Sequence, residues 1–577
     1  MKYASLLLFV VAAALATPPN VVLIMTDDQG YGDLACHGNP ILKTPNLDAL
    51  HAESLRFTDF HSMSFCTPTR AALMTGRNAS RTGAYRTSAG RSMMHPDEIS
   101  MATVFQNNAY ATGIFGKWHL GDNYPHRPQD RGFNTTRWHR CGGVGQGSDY
   151  WGNDYFDDTY EENGRFKKFG GYCTDVFFNG ALDFIAKNVA DEKPFFAYIA
   201  TNAPHGPYRV GPEFAAPYKK NADWGAAANF FGMIANIDEN VGRLRDRLVE
   251  LKITDNTILI FMTDNGTAAG ISPKAEEGYD RLDLLAEKGF NAGMRGKKSS
   301  IFDGGHRVPF FVHWPAGSLT GGRDIADLAA CWDVLPTLID LCELTPPEVA
   351  FDGTSLVPAM RGKGLPARTL VMQFQGGAYF RHLPEPWTDS VVMNKRWRLL
   401  HGKQLYDMQE DPSQSNDVAE ANADVVETLR AVYEPWWEDV SARLGPVRIG
   451  VGNPAEPNTV LCSQDWYMPV GNPPWNVPSI KKRPAVTAPW MIDIERAGEY
   501  LVILRQTPVE ASSTFVGTHM RLQIAGQVAV APIPKNVPGL SVKMKLRAGP
   551  TTVKTRITQA GGKVGGAYFV EMRRIGD

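Results

Sequence analysis

Continuous apolar runs punctuate the first two-thirds of the chain. Asn20-Val21-Val22-Leu23-Ile24-Met25-Thr26 is the first, and the runs Thr112–Gly116, Phe195–Thr201, Thr257–Thr263 and Val308–Trp314 repeat its texture. A strand covered on both faces by helices reads this way, because no position on it meets water. Segments with helical spacing of apolar residues lie between the runs, at Leu47–Leu55, Val176–Val189 and Phe230–Leu251. The alternation predicts an α/β domain over residues 17–365: a large mixed or parallel sheet flanked by helices.

The texture changes near Pro366. Short strand-like runs at Leu370–Met372, Ser390–Asn394 and Trp397–Leu399 precede a helical stretch from Ala423 to Leu444. They predict a small antiparallel sheet with one packed helix over 366–445. The Gly- and Pro-rich stretch 446–457 reads as a linker. Beyond it, 458–577 carries alternating segments such as Gly498–Leu504, Met520–Ile524 and Val542–Leu546, with turn residues between them. That spacing predicts an appended β-sandwich. Trp466, Trp475 and Trp490 within it admit two readings, sugar-stacking rings or core packing.

Residues 1–16 have the form of a secretory signal: Lys2, an apolar run from Leu6 to Leu15, and Ala14-Leu15-Ala16 as a cleavage site. The run is shorter than the roughly 20 residues a membrane span needs, so the expected location is periplasmic or secreted. A formal net charge of −2 gives no electrostatic reason to expect nucleic acid or an anionic membrane as partner. If Cys66 is set aside, six cysteines remain: Cys36, Cys141, Cys173, Cys331, Cys342 and Cys462. An even number permits disulfides. Cys331 and Cys342 should not pair with each other, since eleven residues of helix rise about 16 Å.

Polar residues gather where the apolar runs end. Asp27-Asp28 follow the first run, Lys117 and His119 the second, His205 the third, and Asp264-Asn265 the fourth. In open α/β sheets, sites form beyond the carboxyl ends of strands. Asp27, Asp28, Asp264 and Asn265 make an all-oxygen set, which suits Ca²⁺ or Mg²⁺ and not zinc. Each Asp taken alone also fits a helix cap or turn.

The sequence Cys66-Thr67-Pro68-Thr69-Arg70 precedes the helix-like Ala71-Ala72-Leu73-Met74-Thr75-Gly76. By side-chain type alone it is a buried cysteine opening a helix with Pro in the first turn. The pattern Cys-x-Pro-x-Arg-(x4)-Thr-Gly also resembles the signature of the type I sulfatases, which belong to the alkaline phosphatase superfamily. The stretch Met294 to Gly305 is similar to another motif of that family; counting back from Gly304-Gly305 aligns Lys298 with the active lysine, although Lys297 and Ser299 replace usual glycines. The resemblance runs from about Pro19 to Leu444 and leaves the sandwich outside it.

The resemblance implies that a maturation enzyme oxidises Cys66 to formylglycine (3-oxoalanine), whose hydrate is the nucleophile toward sulfur. It implies one Ca²⁺ held by Asp27, Asp28, Asp264, Asn265 and the modified Cys66. It further implies Arg70 and Lys117 around the nucleophile, His205 and Lys298 at the leaving oxygen, and His119 as the base that expels sulfate. The expected substrate is a sulfated carbohydrate. Within Trp138–Tyr160, the residues His139, Arg140, Asp149, Tyr150 and Asp154 mix hydrogen-bonding groups with a ring and suggest sugar contacts; the other reading is a solvated loop. That segment is similar to one in bacterial sulfatases acting on galactose-type sugars, which implies a galactose or N-acetylgalactosamine 4-sulfate. Two alternatives stay open: a phosphodiesterase or phosphonate monoesterase of the same superfamily, and an inactive glycan-binding protein.

Overall fold

The computed structural model describes residues 17–224, 227–274, 276, 280–377 and 380–577; segment 1–16, expected to be a secretory signal, lies outside the described residues. Ten strands form the main sheet: β1 (Asn20–Thr26), β2 (Leu55–Phe57), β3 (Ala111–Lys117), β4 (Thr135–His139), β5 (Thr159–Glu162), β6 (Arg165–Lys168), β7 (Phe195–Ala200), β8 (Thr257–Thr263), β9 (Phe310–His313) and β10 (Asp324–Ile325). Their spatial order is β10-β2-β9-β8-β1-β7-β3-β4-β5-β6. β8, β1, β7, β3 and β4 are mutually parallel. The run at Val308–Trp314 enters as β9, antiparallel to β8 and β2, so the sheet is mixed.

Alternate residues of β1 feed two separate cores. Val21, Leu23 and Met25 pack on the face that carries helix α2 (Cys66–Thr75). Val22 and Ile24 pack on the opposite face, against α1 (Pro45–Glu53), α3 (Cys173–Ala190) and α4 (Ala227–Glu250). A strand buried on both faces must be apolar at every position, which is why its sequence shows no period of two. The first helix stops earlier than expected. Ser54 turns extended while its Oγ caps the Leu50 carbonyl at 2.7 Å, and Leu55 opens β2 instead.

The second sheet is antiparallel and runs β11 (Leu370–Gln373), β12 (Ser390–Met393), β13 (Trp397–Leu400) and β14 (Gln404–Asp407) in order. Helix α5 (Ala423–Ser441) packs on it through Leu429 and Tyr433. The C-terminal region is a β-sandwich of a six-stranded and a four-stranded antiparallel-rich sheet sharing one core.

Stretch 446–457 is not a linker. Ile449–Val451 pairs in parallel with Trp490–Ile494 and so belongs to the sandwich. Val447, Ile449 and Val451 are sealed in its core. Toward the main-sheet domain Gly450 donates to the Tyr124 carbonyl at 2.9 Å, and Glu456 accepts the Tyr124 amide at 3.0 Å. Glycine, part of the composition that suggested a linker, instead lets the chain approach closely: a Cβ on Gly452 would meet the Tyr500 hydroxyl at 2.0 Å. Trp466 and Trp490 are fully buried and meet edge to face, 5.6 Å between centroids, so both are core rings. All seven cysteines, Cys331 and Cys342 included, are free thiols. Among the described residues no helix is long and apolar enough to cross a membrane.

Candidate active site

Sheet register brings the polar strand ends level. Thr26 of β1 pairs with Thr263 of β8, which sets Asp27 beside Asp264. Met25 pairs with Ala200 of β7, and Ala200 with Gly116 of β3. Gly116 has φ +113°, and a Cβ there would lie 1.9 Å from the Ala200 carbonyl oxygen. Only glycine lets β3 run this close before it turns out to Lys117 and His119.

Helix α2 starts at Cys66, with Phe65 as N-cap and Pro68 in the first turn, where its missing N–H costs nothing. Gly76 closes it in the left-handed conformation at φ +66°. All ten of its residues are buried. The helix therefore presents its N-terminus, with the positive end of its dipole, to the strand ends. Thr69 Oγ1 donates to the Asp264 carbonyl at 2.6 Å and Thr67 Oγ1 to the His119 carbonyl at 3.1 Å, which fixes the helix to two of those ends.

Cys66 Sγ lies 3.2 Å from His119 Nδ1. His119 Nε2 lies 3.0 Å from the Thr87 carbonyl oxygen. A carbonyl only accepts, so Nε2 carries the proton and Nδ1 faces residue 66 as a lone pair. Burial, reinforced by Lys117, holds the imidazole well below its usual pKa and keeps it neutral. Burial also pushes the Cys66 thiol up, only partly opposed by Lys117 and Lys298. An unmodified thiol here is a poor nucleophile, since the thiolate is the reactive form.

The acids interlock with the cations. Lys117 Nζ donates to Asp27 Oδ2 at 2.5 Å and Arg70 Nη2 to Asp264 Oδ2 at 2.8 Å. Lys298 Nζ meets Asp28 Oδ1 at 2.5 Å, and His205 Nε2 stands 3.7 Å from Asp28 Oδ2. Burial works against the Asp28 carboxylate, but Lys298 and His205 outweigh it and hold its carboxyl well below the usual range. Asp264 goes the other way: burial and the neighbouring Asp27 raise it to about 7. Burial, with Lys298 outweighing part of the pull of Asp28, lowers His205 to about 4.

The donor set fits a hard divalent cation. Asp27 Oδ1 and Asn265 Oδ1 are sealed from solvent without a hydrogen-bond partner. Each such oxygen costs about 1–3 kcal/mol if left unpaired. Ligand atoms of Asp27, Cys66 and Asp264 lie within 4.8 Å of one another. Two orphaned acceptors beside a carboxylate that its neighbours push toward protonation are what a cation would relieve.

A cavity of about 350 Å³ opens above this cluster. Of the catalytic residues expected from sequence, Cys66, His119, His205 and Lys298 line it. Lys117 and Arg70 are sealed one layer below, and both are fully buried. Lys298, rather than Lys297, reaches the acid cluster, although both line the cavity.

The five residues expected to touch sugar do not line the cavity. Arg140 pairs with Glu161 at 2.8 Å, and Asp154 with Arg209 at 2.7 Å on the exposed surface. Asp149 is buried and accepts from the Gly145 amide and Asn153. Tyr150 packs on Phe166, and His139 is enclosed at the end of β4 with Nδ1 bonded to the Arg140 carbonyl. Their charges and rings serve the loop's own fold. The neighbouring Gly142 and Gln146 reach the cavity instead. A Cβ on Gly142 would lie 2.6 Å from His119 Cε1, so glycine is what admits the imidazole ring. Sequence reasoning also missed Thr87, whose carbonyl sets the His119 tautomer; a backbone acceptor leaves no side-chain signal.

The Sulfatase family profile matches residues 19–344. The chain belongs to the sulfatase family. It is 32% identical over 416 residues to pig N-acetylgalactosamine-6-sulfatase, covering 65% of this chain and 73% of that protein. It is 32% identical over 388 residues to human arylsulfatase A, covering 62% of this chain and 71% of that protein. The solved structure of Ps i-CgsB is similar at a TM-score of 0.63 and 28% identity over 74% of this chain and 95% of that one. A second structure of it holds a k-i-k-neocarrahexaose and aligns at a TM-score of 0.62. This sulfatase is a sulfuric ester hydrolase of the alkaline-phosphatase-like superfamily.

Proposed function

We propose that this sulfatase removes a 6-sulfate from a galactose-type sugar, using formylglycine at position 66 and a bound Ca²⁺. The observation that carries the reading is the Cys66–His119–Thr87 chain at the floor of the cavity. It aims a neutral base at a side chain whose thiolate form burial disfavours. Formylglycine there supplies a hydrated aldehyde as nucleophile, and Ca²⁺, held by Asp27, Asp28, Asp264, Asn265 and residue 66, supplies positive charge for the sulfate oxygens.

The chain's own groups do the rest. Lys117, locked on Asp27, and the N-terminus of α2 add positive potential where the anionic ester sits. Arg70 positions Asp264 and does not face the cavity. Lys298, held protonated because Asp28, Cys66 and Asp27 together outweigh its burial, stabilises negative charge on the departing oxygen. His205 Nδ1 lies 2.7 Å from the Gly206 carbonyl, so only Nε2 exchanges a proton with substrate. Burial leaves the free ring neutral despite Asp28; the negative charge of an arriving sulfate ester favours uptake of a proton from solvent at Nε2, which the ring then donates to the leaving oxygen. His119 Nδ1 takes a proton from the side chain of residue 66, and its Nε2–H stays on Thr87.

A sugar is favoured by the size and rim of the cavity, at the lower end of the roughly 300–1,000 Å³ typical of small-ligand sites. That room suits one or two sugar rings. The name of the pig relative and the oligosaccharide bound to Ps i-CgsB support the same class. The 4-sulfate inferred from segment 138–160 loses its basis once those five residues lie outside the cavity. The 6-position takes its place through the pig relative's name.

A panel of regiodefined sulfated monosaccharides and disaccharides, with a phosphodiester for comparison, tests this. N-acetylgalactosamine 6-sulfate should exceed its 4-sulfate isomer and the gluco-configured 6-sulfate by about a hundredfold in kcat/KM, because a site built to bond a hydroxyl rejects its inversion strongly. Equal rates across the sugars would remove the substrate assignment. Faster phosphodiester than sulfate cleavage would remove the sulfatase reading of this cavity.

A further inference from the structure

The C-terminal sandwich reaches into the catalytic cavity. Its strand Asn458–Cys462 is followed by loop 463–476, and Gln464, Asn472 and Trp475 of that loop line the same cavity as Cys66 and His119. We propose that this loop is the sugar-recognition wall of the active site, with Trp475 as the platform for a sugar ring and Asn472 as a reader of its hydroxyls. The proposal rests on the carbohydrate reading above and adds the residues that would recognise the sugar.

Three observations carry it. The first is the contrast among the tryptophans. Trp466 and Trp490 are fully buried in the sandwich core, whereas Trp475 is half-buried and borders the cavity. A half-buried indole at the edge of a cavity can cover the apolar face of a sugar at low entropic cost, since it has only two side-chain torsions.

The second is that the loop is held in place before any ligand arrives. The Gly147 amide donates to the Trp475 carbonyl at 2.8 Å, and Gln146 and Asn476 form an antiparallel bridge. A Cβ on Gly147 would come within 2.8 Å of that carbonyl, so glycine permits the contact. Ser463 Oγ donates to the Pro474 carbonyl. Ser88 Oγ donates to Asn472 Oδ1 at 3.1 Å, which leaves the amide nitrogen as a donor at the rim. A wall fixed in this way loses little entropy on binding.

The third is its link to the chemistry. The Ala89 amide donates to the Gln464 carbonyl at 2.8 Å. Gln464 Nε2 donates to Asp122 Oδ2 at 2.8 Å. The loop thus clamps segment 86–91, whose Thr87 carbonyl fixes the His119 ring. Recognition wall and catalytic base share one support.

Binding in a Cys66→Ala background separates recognition from turnover. Isothermal titration with N-acetylgalactosamine 6-sulfate and, separately, with inorganic sulfate gives the readout. Adding Trp475→Ala should weaken the sugar sulfate by about tenfold or more, as loss of a central aromatic anchor does, while inorganic sulfate changes by less than about twofold. Trp475→Phe should keep sugar affinity within about threefold, because the ring face survives. Asn472→Ala, at an exposed position, should weaken the sugar by about threefold or more and leave the thermal midpoint unchanged. Parent-like sugar binding by Trp475→Ala and Asn472→Ala overturns the proposal. So does equal weakening of sugar sulfate and inorganic sulfate, which marks a general structural lesion. If the Cys66→Ala protein binds inorganic sulfate but no sulfated sugar, the carbohydrate function itself fails, a result distinct from both.

Discussion

Cys66→Ala should lower turnover of any sulfate ester by about 10⁴-fold or more, the scale seen when a catalytic nucleophile is removed. Stability should change little. The side chain is small and buried at the first position of α2, so losing one sulfur atom should cost no more than about 1–2 kcal/mol. Rate measurements with a chromogenic aryl sulfate, beside a thermal melt of the same preparation, check both halves. A variant with more than about a tenth of parent activity would place the nucleophile elsewhere.

Asp264→Ala should have the second largest effect, because Asp264 holds three things at once. It accepts from Arg70 at 2.8 Å, it accepts the Asp28 amide at 3.0 Å, and it belongs to the oxygen set around residue 66. Its loss leaves the fully buried Arg70 guanidinium without its carboxylate, which costs about 3–5 kcal/mol for a broken buried pair. It also removes a ligand, so metal content and activity should fall together, with turnover down by about a thousandfold or more. Elemental analysis of purified variant and parent, paired with activity before and after chelation and Ca²⁺ return, reads this out. Full activity in chelated protein shown to be metal-free would falsify the cation assignment.

Much of this architecture could be read from the chain, for identifiable reasons. The buried strands announce themselves because a sheet covered on both faces tolerates no polar side chain. The candidate site residues sit at strand ends, where the apolar run stops and Asp27, Lys117, His205 and Asp264 stand out against it. Short motifs anchored at Cys66 and Lys298 singled out those side chains, and the structure places them on one cavity. What stayed hidden depends on tertiary contact. Stretch 446–457 has the composition of a tether, yet Val447, Ile449 and Val451 alternate into a distant core. Segment 138–160 is rich in groups that bind sugars, but those groups find partners within the fold, as Asp149 does with Asn153 and Arg140 with Glu161. Gln464, Asn472 and Trp475 of the cavity lining come from a domain outside the family motifs, and no local pattern marks Asn472 as lying near Cys66, some four hundred positions earlier.

The central claim is that position 66 acts as formylglycine and not as a thiol. Mass spectrometry of the peptide spanning Phe65 to Arg70, taken from a preparation whose specific activity is known, tests it most directly. The account predicts the aldehyde or its hydrate at residue 66, in a fraction that tracks specific activity across preparations made with and without a maturation enzyme. A fully active preparation carrying only intact cysteine at that position would contradict it.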